Sequence, residues 1–141
     1  MWKELFSNIL NDCQFKAPAT ELELLSIKKE LNIELPKKLI DLYNETNGVD
    51  GPYYLYFWPI DTLIQENLLV WNIEIENFSK PDNLLLFLDA GNGDLFGYLL
   101  ENGKVQSEDI YVWNHEDGSQ RVIASSLEEF IQGWYGGGIS I

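Results

Sequence analysis

The 141-residue sequence predicts an α+β fold: a single domain with a central, mostly antiparallel sheet of four or more strands, N-terminal helices and a C-terminal helix packed on it. Three observations lead there. Apolar residues in the first half recur at helical spacing, the period shortens from Leu84 into runs of β-formers separated by polar turns, and a capped helical stripe returns near the end.

Trp2, Leu5, Phe6, Ile9 and Leu10 stand at i, i+3, i+4, i+7 and i+8, the stripe of an amphipathic helix. Thr20 and Glu23 have capping-box spacing, in which each side chain takes the other's free backbone N–H. Leu24, Ile27 and Leu31 continue that face, so a second helix covers about 20–31. Pro36, with φ preset near the helical value, suits the first turn of a third helix whose face is Leu39, Leu42 and Tyr43. Asn47 and Gly48 offer it a left-handed stop.

"GPYYLYFWPI", bounded by Gly51, Pro52 and Pro59, reads as a short strand. Asp61 is placed to cap a fourth helix with inner face Leu63, Ile64, Leu68 and Trp71. Its end is ambiguous, because Trp71, Ile73 and Ile75 alternate as a strand does. Then "LLLFL", "LFGYLL", "IYVW" and "RVIA", separated by "DAGNGD", "ENGK" and "HEDGS", read as an antiparallel meander. Ser126 and Glu129 form a second capping box ahead of Leu127, Phe130, Ile131 and Trp134, and the glycines 136–138 stop the last helix.

An apolar share of 45% suits one core in a chain of this length. No apolar run approaches a membrane span and no basic, apolar leader opens the chain, so the sequence reads as a soluble, cytoplasmic protein. Cys13 is the only cysteine, which leaves no internal disulfide and no thiolate-rich zinc site; it is expected to be a buried, inert thiol.

The net charge is −14, and its distribution is uneven: residues 1–38 hold six acids and six bases, whereas residues 39–141 hold seventeen acids against Lys80, Lys104 and Arg121. Such a field repels nucleic acid and anionic membranes and favours basic partners, although solubility alone would also account for it.

The loop "AGNGD" fails two tests for a ligand. A dinucleotide fingerprint needs a third glycine where Phe96 stands, and a calcium loop beginning at Asp89 would put Gly91 and Gly93 at ligand positions. A strand connection with glycines at positive φ explains it. His115 is the only histidine, so a zinc-protease site cannot be completed, and a nucleophile–base pair could only join Cys13 to His115 from dissimilar contexts. Glu108 with Asp109 and Glu116 with Asp117 read as solvated turns. No constellation specifies an enzyme, and no metal or cofactor is expected. Tyr53, Tyr54, Tyr56, Phe57 and Trp58 are too dense for all to face one core, and both faces of "LFGYLL" are apolar, so something besides helices is expected to cover part of the sheet, or a binding groove to use some of these rings.

The order of motifs resembles the SUKH superfamily, which includes the yeast cell-wall assembly regulator and many bacterial immunity proteins. The resemblance rests on "ATELELLSIKKELNIELPKKLIDLYNETNG" at 19–48, then "WPID", "GNGDLFGY", "VWNHED" and "SSLEEFIQGW". It spans about 19–134 of a single domain 1–141, with 1–18 an N-terminal helical extension and 136–141 a glycine-rich tail. It implies an α+β fold and a binding protein rather than a catalyst. Bacterial relatives are thought to neutralise toxins, often nucleases, by direct binding. On this likeness Pro36, Asn47, Gly48 and Gly93 are structural, with Asn47 and Gly48 ending a helix and Gly93 with Asp94 shaping the sheet turn. The expected partner is a basic toxin domain. Asp89, Asn92, Asp94, Glu108, Asp109, Glu116 and Asp117 are the residues expected to steer it, with Tyr98 and Trp113 as anchors. The alternative is a regulatory or scaffold module without a toxin.

Overall fold

In the computed structural model, which describes residues 1–141, the first apolar stripe becomes α1 (Trp2–Ile9) and buries Trp2 and Phe6. Its first backbone amides find a distant acceptor. The Glu45 carboxylate takes Trp2 N–H at 3.2 Å and Lys3 N–H at 3.0 Å. Burial alone raises the Glu45 carboxyl, but these bonds to its charged form outweigh it and leave it below the usual carboxylate range.

After β1 (Gln14–Phe15), the predicted capping box is complete at the head of α2 (Glu21–Leu31): Thr20 Oγ1 accepts from Glu23 N at 3.1 Å, and Glu23 accepts from Thr20 N at 2.9 Å. Pro36 is the residue that precedes α3 (Lys37–Glu45). The expected left-handed stop at Asn47 and Gly48 is corrected: the helix ends at Thr46, which is extended, and only Gly48 has positive φ, at 95°. The pair does another job. Asn47 Nδ2 donates to Glu23 at 2.9 Å while its Oδ1 accepts from Ile60 N at 2.8 Å, so it ties α2 to the helix that follows. Gly48 passes so close to Pro59 that a Cβ would lie 2.8 Å from the proline nitrogen, hence the glycine.

The small antiparallel sheet is completed by β2 (Val49–Asp50) and β3 (Leu55–Phe57), in the order β1-β2-β3. Helix α4 (Ile60–Asn72) begins one residue before Asp61, so Asn47 rather than Asp61 serves its first free amide. Its predicted inner face also shifts: Leu68 is exposed, and the buried positions are Ile60, Leu63 and Asn67.

The meander forms as expected. Strands β4 (Leu84–Asp89), β5 (Leu95–Glu101), β6 (Lys104–Trp113) and β7 (Gln120–Ala124) pair antiparallel in sequence order. The outer edge of β4 is closed by side chains of α4, since the buried Asn67 donates to Leu86 O at 2.8 Å and accepts from Leu86 N at 2.9 Å, while Trp71 Nε1 donates to Leu84 O at 2.9 Å. An edge strand that would otherwise offer free polar groups is thus satisfied within the chain. Helix α5 (Leu127–Gly136) starts at Ser126, whose Oγ accepts from Glu129 N at 3.1 Å. The second capping box is only half formed, because the Glu129 carboxylate takes the Ser125 amide and hydroxyl instead.

One core of 29 buried residues joins the two sheets. Its axis is a run of aromatic contacts: Phe6 to Phe57 at 6.1 Å, Phe57 to Phe87 at 5.3 Å, Phe87 to Phe130 at 5.4 Å and Phe130 to Phe96 at 4.7 Å between ring centroids. That run crosses from α1 through β3 and β4 to α5 and β5. The opposite face of the meander is covered where Phe78 packs on Trp113, whose indole N–H donates to Ser79 O at 3.0 Å. This irregular segment after α4 is the non-helical cover that the two apolar faces of "LFGYLL" required. No helix is long and apolar enough to cross a membrane.

Candidate functional site

At the end of the meander where β4 passes into β5, a cleft of about 710 Å³ opens between the sheets and α5. Four segments build its wall. The turn before β3 brings Tyr54, β3 brings Tyr56, α5 brings Trp134 and Tyr135, and the end of β4 with the loop after it brings Asp89 and Asn92. Leu10, just past α1, closes the floor.

The rings are held by one another. Tyr56 meets Tyr54 at 5.3 Å and Tyr135 at 5.2 Å, both edge to face, and Trp134 meets Phe96 at 5.0 Å. Their hydroxyls are also engaged: Tyr135 donates to Tyr56 O at 2.5 Å and Tyr56 donates to Asp12 Oδ1 at 2.9 Å. Burial, then the Asp12 bond, pushes the Tyr56 hydroxyl up to about 12. Tyr135 is raised further, by burial first and then by the charges of Tyr54, Tyr56 and Asp89. Both phenols therefore stay neutral donors in the physiological range. Tyr54 is 62% exposed and Tyr53, beside it, 92%, so the rim is aromatic and open.

Asp89 is the charged group of the cleft, and it forms no ion pair with any base of the chain. Partial desolvation raises its carboxyl, with its own backbone amide opposing. Asn92 Oδ1 accepts from Asp94 N at 2.9 Å, an Asx turn that shapes the loop.

Behind this loop the two turns at the same end of the sheet are locked together. Asp94 is buried, and its Oδ1 takes both the His115 backbone N–H at 3.0 Å and the His115 ring at 2.5 Å. Burial opposes ionisation of Asp94, but the two bonds and the histidine's charge outweigh it and hold the carboxyl below its usual range. Gly93, at φ 106°, lets the loop press on the imidazole: a Cβ would stand 2.9 Å from His115 Cγ. Gly93 and Asp94 thus shape the sheet turn.

The structure brings together some of the residues expected to contact a partner and separates others. Asp89 and Asn92 line the cleft, and Glu116 and Asp117 are exposed on the turn that His115 ties to it. Asp94 is a buried tie and cannot steer. Glu108 lies on β6 against α3, where Lys38 bridges it to Glu128, and Asp109 is half-buried next to it. Tyr98 and Trp113 are corrected as anchors: both are buried, Tyr98 against Phe87 at 5.5 Å and Trp113 against Phe78 at 6.2 Å, because each face of the meander is covered. The rings a partner can reach are instead the exposed Tyr54 and the half-buried Trp134 and Tyr135, with Tyr56 buried behind them. The crowding of rings at 53–58 was the signal for Tyr54. For the others the signal was adjacency, since two aromatics in succession on a helix point about 100° apart and cannot both enter one core.

Cys13 is half-buried rather than buried; its thiol donates to Leu10 O at 3.4 Å, and burial raises its pKa, the opposite of an activated nucleophile. Aromatic faces and an uncompensated carboxylate suit recognition of cationic surface.

Residues 21–131 match a family model described as SUKH_6: SMI1-KNR4 cell-wall. No curated protein matches the chain.

Proposed function

The chain belongs to the SUKH family, which includes toxin-immunity proteins and SMI1/KNR4-like regulators, and from that premise we propose that it is a non-catalytic immunity-type protein of the cytoplasm that binds and neutralises a cognate toxin domain, a basic nuclease. The observation that supports this reading is the cleft itself, with open tyrosines beside the unpaired Asp89 and the exposed Glu116 and Asp117 on the neighbouring turn. A nuclease holds phosphate backbones with cationic surface, so an acidic protein seated on that surface competes with the nucleic acid. Aromatic side chains supply contact energy at such an interface and charge supplies steering.

The test is to use the protein as bait at low and then moderate salt, against lysate of its own organism and the products of neighbouring genes. Capture of a basic nuclease-like domain, with loss of its nuclease activity on mixing, is the expected outcome. The cell-wall description of the matched family favours one rival, a regulatory or scaffold module without a toxin. Capture of a non-toxin cellular protein alone would establish that rival and overturn the immunity reading.

A further inference from the structure

We propose that the cleft is a receptor for an arginine side chain of the partner, its guanidinium stacked on the tyrosine and tryptophan faces and its N–H fork paired with the Asp89 carboxylate. This rests on the reading of the chain as a binder of basic protein surface, and it names the group that such a surface delivers.

Three features select that group. Asp89 is an exposed carboxylate beside the rings with no base of the chain to pair it, so it is free to pair with an incoming cation. An anion is repelled there, and an apolar side chain leaves the carboxylate stranded. The tyrosine hydroxyls at 56 and 135 are already spent on Asp12 and on the Tyr56 carbonyl, so what the wall offers a ligand is the ring surface of the exposed Tyr54 and the half-buried Trp134 and Tyr135 rather than donors. A cation over such faces is attracted by the ring quadrupole. The cleft, at about 710 Å³, admits a long side chain together with its flanking backbone. Between the two long cations, arginine fits better: its guanidinium is planar, stacks on rings, gives up hydration more easily than an ammonium and can bond a carboxylate through two N–H groups at once.

The test titrates isotope-labelled protein with N-acetyl-arginine methylamide, with the lysine counterpart and with the uncharged citrulline counterpart. The arginine probe is expected to shift the Trp134 indole and Asn92 side-chain resonances at concentrations of tens of millimolar, the lysine probe to shift them several-fold more weakly, and the citrulline probe to leave them in place. Asp89→Asn and Tyr54→Ala each weaken the arginine response by about tenfold. Both positions are exposed, and unchanged circular dichroism and melting temperature confirm that the fold is retained. No shift with arginine, an equal shift with citrulline, or an undiminished response in both variants overturns the proposal. Its failure is distinguishable from that of the immunity reading. A partner bound with full affinity by Asp89→Asn removes the arginine receptor and keeps the partner, whereas an arginine response without any captured toxin keeps the receptor and removes the toxin.

Discussion

Asn67 shows how much a single polar side chain carries in this fold. It is wholly buried within α4, and it bonds Leu63 O at 2.7 Å as well as the backbone N–H and C=O of Leu86. The last two bonds stand where a neighbouring strand would stand, beside the irregularity between Leu86 and Leu88. Asn67→Leu keeps the volume but strands an amide and a carbonyl away from water, so it should destabilise the protein by about 2–4 kcal/mol. Urea denaturation of the variant checks this through the shift in midpoint at unchanged slope; a loss below about 0.5 kcal/mol would mean that water or a shifted strand satisfies Leu86. Apolar periodicity pointed to Leu68 in this place. A buried amide is invisible to a count of apolar residues, because its burial is made affordable by partners nineteen residues away that only the folded chain supplies. For the same reason Tyr98 and Trp113 read as anchors in the sequence and are core in the structure: Tyr98 packs on Phe87 of β4, and Trp113 is met by Phe78 and Ser79 from the stretch after α4.

At the scale of elements, all five helices and the meander were legible, since each carries its own period and, for α2, its own capping box. Strands β1 and β2 were not. Each is two residues long and is defined only by its pairing, Gln14 with Asp50 and Phe15 with Val49, across more than thirty intervening residues. The cleft was legible in pieces, as a loop, a crowd of aromatics and a helical stripe, and its assembly required the topology. The tie between the β4–β5 and β6–β7 turns also belongs to this scale and makes stability depend on pH. Asp94 has a folded pKa below its unfolded value, so its contribution is fully present above the unfolded pKa and is lost as pH falls through the folded one. Asp94→Asn should therefore cost about 2 kcal/mol at pH 7, the scale of a hydrogen bond to a charged group, and the gap to the wild type should close in acid, below the usual carboxylate range. Melting curves of both proteins from pH 7 down to pH 3 measure that gap. A gap independent of pH would show that the loop is held by shape alone.

Over the whole molecule, the excess of acids lies after residue 38, yet the fold does not spread it evenly as usable charge. Lys38 bridges Glu108 and Glu128, Asp94 is turned inward to His115, and Glu45 is spent on the amides of α1. Asp89, Glu116 and Asp117 keep their charge without a basic partner, at one end of the meander around the open tyrosines. Charge placed beside these rings favours the approach of a basic protein to the cleft before contact, which raises the association rate while leaving the dissociation rate to the rings. Replacing these three acids with their amides should slow association with the captured partner by about tenfold at low salt, and the difference should shrink toward nothing near 1 M salt, where the screening length falls to about 3 Å. Glu108→Gln is the internal control: its charge is already met by Lys38, so it should change the rate less than twofold. Stopped-flow association across a salt series reads both. Equal rates for the triple variant and the wild type at low salt would rule out steering and leave the charge as solubility, while an equal loss from Glu108→Gln would show that total charge, rather than its placement at the cleft, sets the encounter.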